Sequence, residues 1–102
     1  MAYLKQDKFF DGKIMCEVFV NDDKKDGIYR LYHENENLHI ECNYINNQIN
    51  GKYISYHDNG NPYIICYYIN GKKFGEYISF YKNGSICEKI YYDNDIIVQN
   101  KL

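Results

Sequence analysis

Gly51-Lys52-Tyr53-Ile54-Ser55-Tyr56-His57-Asp58-Asn59-Gly60 returns 24 residues later as Gly75-Glu76-Tyr77-Ile78-Ser79-Phe80-Tyr81-Lys82-Asn83-Gly84. The same frame runs backward through Gly27, Tyr29, Tyr32 and Asn35, with Gly12 in phase. It also carries Tyr44, Tyr68 and Tyr92, each followed two positions on by Asn46, Asn70 and Asn94. A repeat of this length marks one supersecondary unit stacked on itself.

Turn-forming pairs identify the unit. They fall at Asp11-Gly12, Asp22-Asp23, Asn35-Glu36, Asn46-Asn47, Asn59-Gly60, Asn70-Gly71, Asn83-Gly84 and Asn94-Asp95. Asn-Gly and Asp-Gly between alternating segments signal two-residue type I′ turns, because both central residues need φ > 0. Glu36 is the weakest of these residues, since positive φ costs an ordinary side chain more than it costs Asn. The intervening segments are alternately nine and eleven residues long and rich in Tyr and Ile. They are too short and too β-prone for helices, Ala occurs once, and no capped helical pattern is present. Each repeat is therefore expected to be one β-hairpin. The fold class that follows is all-β: a single elongated, twisted antiparallel meander of 24-residue hairpins. The whole chain, 1–102, reads as one domain with repeats near 3–26, 27–50, 51–74 and 75–98.

Two-residue turns would fix the register and hence the faces. One face should collect Ile14, Cys16, Val18, Val20, Tyr29, Leu31, Leu38, Ile40, Cys42 and Tyr44, continuing through Tyr53, Ile64, Cys66, Tyr68, Tyr77, Ile86, Ile90 and Tyr92. Tyr44, Tyr68 and Tyr92 then stand opposite Gly27, Gly51 and Gly75, where a ring could shield the bare glycine backbone. The second face carries Arg30, Glu41, Asn43, Glu76, Lys89 and Asp93 in its outer parts. Its middle carries Ile45 and, in the central strands, the eight residues Ile54, Tyr56, Tyr63, Ile65, Tyr67, Ile69, Ile78 and Phe80. A sheet with one solvated face has no need of that second apolar cluster, so these eight residues are the candidate partner-binding site.

A glycine, Tyr two residues on, an aromatic three later, then Asn-Gly and a second strand ending in Tyr-x-Asn-Gly resembles the MORN repeats. It is similar above all to the short variant of bacterial antitoxin-like proteins. Residues 51–60 and 75–84 carry the likeness best. Glu36, Asn47 and Asp95 stand where the family favours Gly, and the first repeat lacks the Gly-x-Tyr opening. The resemblance implies an elongated β-sheet used for protein association, with phospholipid contact, toxin neutralisation and scaffolding among its roles.

Nothing in the chain assembles an enzyme motif. Cys16, Cys42, Cys66 and Cys87 contain no Cys-x-x-Cys, and Cys42 and Cys66 are repeat-equivalent on strands about 9–10 Å apart, too far for a disulfide. Cys87 reads as a second-face thiol. His33 and His57 are repeat-equivalent, His39 lies on a different face, and His33 and Cys42 are too distant to share zinc. There is no Ser-His-Asp set, P-loop or dinucleotide fingerprint. Polar residues recur with the repeat, whereas a catalytic site is a single unsymmetrical constellation. No catalytic residue, metal or cofactor is therefore assigned.

Charge and hydropathy narrow the partner. Twelve basic residues against fourteen acidic ones give a net charge of −2, without the basic stripe of a nucleic-acid binder. Apolar runs such as Tyr63–Ile69 are far short of a membrane span of about 20 residues, and the first residues are too polar for a secretory signal. The reading is a cytoplasmic, non-enzymatic module that binds a protein partner or a second copy, as a homodimer or scaffold, with no nucleic-acid ligand. The alternatives are a peripheral phospholipid binder, which lacks a basic cluster because Lys24-Lys25 and Lys72-Lys73 are isolated pairs, and a structural subunit of a larger assembly.

Overall fold

The computed structural model describes the backbone of residues 1–100 and the side chains of residues 1–98. The described residues form strands and turns and no helix. The strands are β1 (Ala2–Lys8), β2 (Ile14–Asn21), β3 (Lys24–Tyr32), β4 (Leu38–Ile45), β5 (Gln48–Ile49), β6 (Gly51–Tyr56), β7 (Pro62–Ile69), β8 (Lys72–Lys73), β9 (Gly75–Phe80), β10 (Ile86–Asp93) and β11 (Ile96–Asn100). They make one antiparallel sheet in the order β1-β2-β3-β4-β6-β7-β9-β10-β11, with β5 on β4 and β8 on β7. The sheet measures 41 × 31 × 14 Å. Stacked sheets lie about 10 Å apart before their outer side chains are added, so 14 Å admits a single layer. A radius of gyration of 15.0 Å, against about 13 Å for a compact domain of this size, agrees.

Burial in one layer has to come from the side chains of one face. Val18 pairs with Tyr29, Tyr29 with Cys42, Tyr53 with Cys66, and Tyr77 with Ile90. Large rings thus alternate with small side chains across the sheet. Val18, Cys42, Cys66 and Ile90, at equivalent positions of the four repeats, are only 6, 5, 1 and 7% exposed. Edge-to-face pairs Tyr29–Tyr44, Tyr53–Tyr68 and Tyr77–Tyr92, with centroids 5.7–5.8 Å apart, lie along the same face. Such a pair contributes about 0.5–1.5 kcal/mol beyond the area it buries. Burial pushes the Cys42 and Cys66 thiols up to about 11 and the Tyr53 hydroxyl up to about 12.

Half of the turns are not what the sequence predicts. Asp22-Asp23, Asn46-Asn47, Asn70-Gly71 and Asn94-Asp95 have positive φ at both residues, as type I′ requires. The other four are three-residue loops. The N–H groups of Phe9, His33, His57 and Tyr81 donate to the carbonyls of Lys13, Asn37, Asn61 and Ser85 at 2.8–2.9 Å, and only the last loop residue (Gly12, Glu36, Gly60 or Gly84) takes positive φ. The Oδ1 atoms of Asp11, Asn35, Asn59 and Asn83 accept from the backbone N–H two residues on, fixing each loop.

The extra loop residue is cancelled by a β-bulge on the following strand, where Met15, His39, Tyr63 and Cys87 have no partner in the ladder. The expected pairs Gly27–Tyr44, Gly51–Tyr68 and Gly75–Tyr92 are therefore all present. Between loop and bulge the faces change. Ile14, Leu38 and Ile86, expected among the tyrosines, instead pair with Lys8, Tyr32 and Phe80. His39, expected on a different face from His33, stacks on it with centroids 4.1 Å apart.

A second irregularity lies beyond each type I′ turn. Tyr44 pairs with Ile49, but Glu41 pairs with Ile54, so two extra residues enter between β5 and β6, and the same happens between β8 and β9. Both of these offsets are even, which keeps the side chains of β6 and β9 on their expected faces.

Asparagine side chains stitch the hairpins along both sheet margins. At the type I′ margin Lys25 N donates to Asn47 Oδ1 at 2.7 Å and Asn47 N to Lys25 O at 2.8 Å; Lys73 and Asp95 repeat this exchange. At the other margin Asn35 and Asn37 donate to the Asp58 carbonyl, and Asn59 and Asn61 to that of Lys82. His33 and His57 Nε2 lie 3.0 and 2.8 Å from the carbonyls of Tyr56 and Phe80.

Candidate partner-binding face

The second face is organised by one row of directly paired residues: Glu17, Arg30, Glu41, Ile54, Ile65, Ile78 and Lys89, one from each of β2, β3, β4, β6, β7, β9 and β10. Three isoleucines at its centre are thus bounded by charge on both sides. β-branched side chains suit this pleated position, where each is packed by its cross-strand neighbours.

Of the eight candidate residues, Ile54, Ile65 and Ile78 form that row. Tyr56 and Phe80 lie two positions further along β6 and β9, and all five are half-buried. Tyr67 and Ile69 extend along β7 in the other direction and are 42 and 53% exposed. Tyr63 does not join them: it is the bulged residue of β7, its ring 4.7 Å from His57. Cys87, expected as a second-face thiol, is likewise a bulged residue and interacts with Tyr81.

The flanks are held by ion pairs and charged hydrogen bonds. Arg30 Nε donates to Glu41 Oε2 at 2.8 Å, and Glu41 in turn raises the Arg30 pKa. Glu17 accepts from Gln6 at 2.7 Å and from the Tyr32 hydroxyl at 2.9 Å, which together hold its carboxyl below the usual range. On the far side Glu76 accepts from the Tyr91 hydroxyl at 2.7 Å and lies 3.3 Å from Lys89 Nζ. The sequence places Arg30, Glu41, Glu76 and Lys89 on the outer parts of the face, but Glu17 and the arrangement of all five as a frame need the register across neighbouring hairpins.

Chemically the face offers shape and apolar area. Among the described residues no group of three His, Cys, Asp or Glu side chains converges as a metal site, and no helix is long and apolar enough to cross a membrane. Lys25 lies over the Tyr44 ring at 5.0 Å and Lys73 over that of Tyr92 at 5.1 Å, which commits both cations to the tyrosine face.

No curated protein and no solved structure matches the chain. The profile of the MORN repeat variant matches it three times, at residues 25–46, 49–70 and 75–94. Repeats of this kind are non-catalytic modules associated with protein and membrane interaction. The three matches cover most of the sequence and coincide with the hairpins that alternate tyrosine with a buried small residue. On both grounds the chain belongs to the MORN repeat variant family.

Proposed function

We propose that the protein is a non-enzymatic interaction module that binds a protein partner, or a second copy of itself, through the face bearing Ile54, Tyr56, Ile65, Tyr67, Ile69, Ile78 and Phe80. The observation that carries this is the single layer: a sheet 14 Å thick leaves an isoleucine row and its aromatic neighbours with no second layer over them. Such a cluster, apolar at its centre and charged at its rim, has the anatomy of a protein interface. A toxin-neutralising role is one specific form of this reading, supported by the likeness of the repeats to those of antitoxin-like proteins. A cytoplasmic location fits it.

Lys at both Ile65 and Tyr67 tests the proposal. The double variant should keep its far-UV circular dichroism, because the buried residues of the tyrosine face are untouched. It should lose self-association in light scattering, and lose whatever protein the wild type captures from the source cell. Retention of both would refute the reading. Co-sedimentation with anionic phospholipid vesicles that survives the double substitution would direct attention to lipid and away from this face.

A further inference from the structure

The register of the second face points to its occupant. We infer that the face pairs with a second copy of the chain, across a two-fold axis running along β7. This rests on the reading of that face as an interface.

Two positions before Ile54 on β6 stands Lys52, and two before Ile78 on β9 stands Glu76. These four residues share the face, since each step of two along a strand returns to the same side. β7 lies midway between β6 and β9, and also midway between β4 and β10. Around it four charges are antisymmetric: Lys52 on one side against Glu76 on the other, and Glu41 against Lys89 one strand further out, while Asp93 on the same face of β10 has no oppositely charged counterpart on β4. The apolar positions are symmetric, with Ile54 matching Ile78 and Tyr56 matching Phe80.

Two sheets can stack face to face about a two-fold axis lying in the interface. An axis along β7 exchanges left and right while keeping position along the strands. It sets Ile65 on Ile65, Ile54 on Ile78, Lys52 on Glu76 and Glu41 on Lys89, and every contact off the axis occurs twice. An in-plane axis across the strands does the opposite: it lays Glu41 over Glu41 and Lys89 over Lys89. Charge therefore selects the first arrangement. Aligned sheets pack about 10 Å apart with strands crossing by about 30°, which long Lys and Glu side chains span. Five strands by about six residues give roughly 500 Å² per copy, near 1,000 Å² for the pair. That is at the lower end of specific interfaces, so the dimer should be concentration-dependent.

The test uses the full chain, Lys52→Glu and Glu76→Lys, each alone and mixed. Lys52→Glu faces two Glu–Glu contacts across the axis and should weaken the dimer by about tenfold or more; Glu76→Lys faces two Lys–Lys contacts and should do the same. Mixing the two variants makes both contacts opposite in charge, so analytical ultracentrifugation should show a heterodimer where neither chain alone dimerises. Circular dichroism checks that each variant is folded, Glu76→Lys above all because Glu76 also holds Tyr91 and Lys89. A monomeric wild type at high micromolar concentration overturns this inference and leaves the protein-partner reading intact. A dimer that dissociates with Lys at Ile65 and Tyr67, but shows no rescue on mixing, overturns the axis alone. A dimer indifferent to the Ile65 and Tyr67 changes overturns the face itself.

Discussion

Gly51 stands directly across the ladder from Tyr68, yet a Cβ placed on Gly51 would meet nothing within 4 Å. The Tyr68 ring packs edge-to-face on Tyr53 and does not cover the glycine. What requires glycine is the backbone, with φ at +89° in Gly51 and +80° in Gly75, where the two extra residues enter the chain.

Substitution at Gly51 should therefore follow φ tolerance and not size. Gly51→Val should cost about 1–3 kcal/mol, because a β-branched residue is strained at positive φ. Gly51→Asn should cost much less despite its comparable bulk. Asp58→Val serves as the surface control and should leave the urea midpoint nearly unchanged. Equal losses for Val and Asn would show that packing, not conformation, selects the glycine.

Glu36 holds a φ of +74° at the loop position that is Gly12, Gly60 and Gly84 in the other repeats. Its side chain is exposed and, among the described residues, has no hydrogen-bond partner that would offset the strain. Glu36→Gly should stabilise the protein by about 0.5–1 kcal/mol, the relief of a left-handed side chain less the added freedom of glycine when unfolded. An unchanged or lower denaturation midpoint contradicts this.

Asn61 Nδ2 donates to the Lys82 carbonyl at 2.8 Å, as Asn37 does to that of Asp58 at 3.0 Å. Removing either amide with Ala should cost about 0.5–1.5 kcal/mol. The urea midpoint should shift without a change in slope, since the surface exposed on unfolding is the same. A changed slope would mean that the hairpins had uncoupled.

Stability should fall on the alkaline side. Cys42 and Cys66 ionise at about 11 when folded against an ordinary 9.0, and Tyr53 at about 12 against 10.0. These groups are neutral when protonated and their folded pKa values are raised. The unfolded chain consequently loses protons first, and stability declines as pH climbs from about 9 through 12. Below the thiol range they contribute no slope. Replacing Cys42 and Cys66 by Ala should delay the onset toward about pH 10, measured by denaturant midpoints across that range.

The repeat, the two faces and the glycine–tyrosine register were legible because a period of 24 and a side-chain alternation of two leave little freedom. The loops were not, because Asn-Gly serves a type I′ turn and a three-residue loop equally well: Asn59-Gly60 and Asn70-Gly71 look alike in sequence and fold differently. The added residue at the first kind of loop and the bulge at Tyr63 cancel, so the register survived. The offset before Gly51 does not cancel. A simple count from the Asn46-Asn47 turn aligns Glu41 with Lys52, whereas the ladder aligns it with Ile54. The apolar cluster could be read because an even shift preserves faces; the charge frame could not, because it depends on the row.

The side-chain hydrogen bonds of His33, Asn35, His57 and Asn59 each span 23 positions, so each of these loops is tied to the next hairpin. Length is consequently an independent variable. A duplicated or deleted block of 24 residues would leave each remaining junction as it was, and would add or subtract one increment of stability. The antisymmetric charges have no such freedom. They are centred on one strand, and a hairpin inserted between β6 and β9 would move Lys52 out of step with Glu76. A chain built by copying can grow easily at its ends, but one that meets itself across a two-fold axis cannot gain a hairpin at its centre without re-centring its charges.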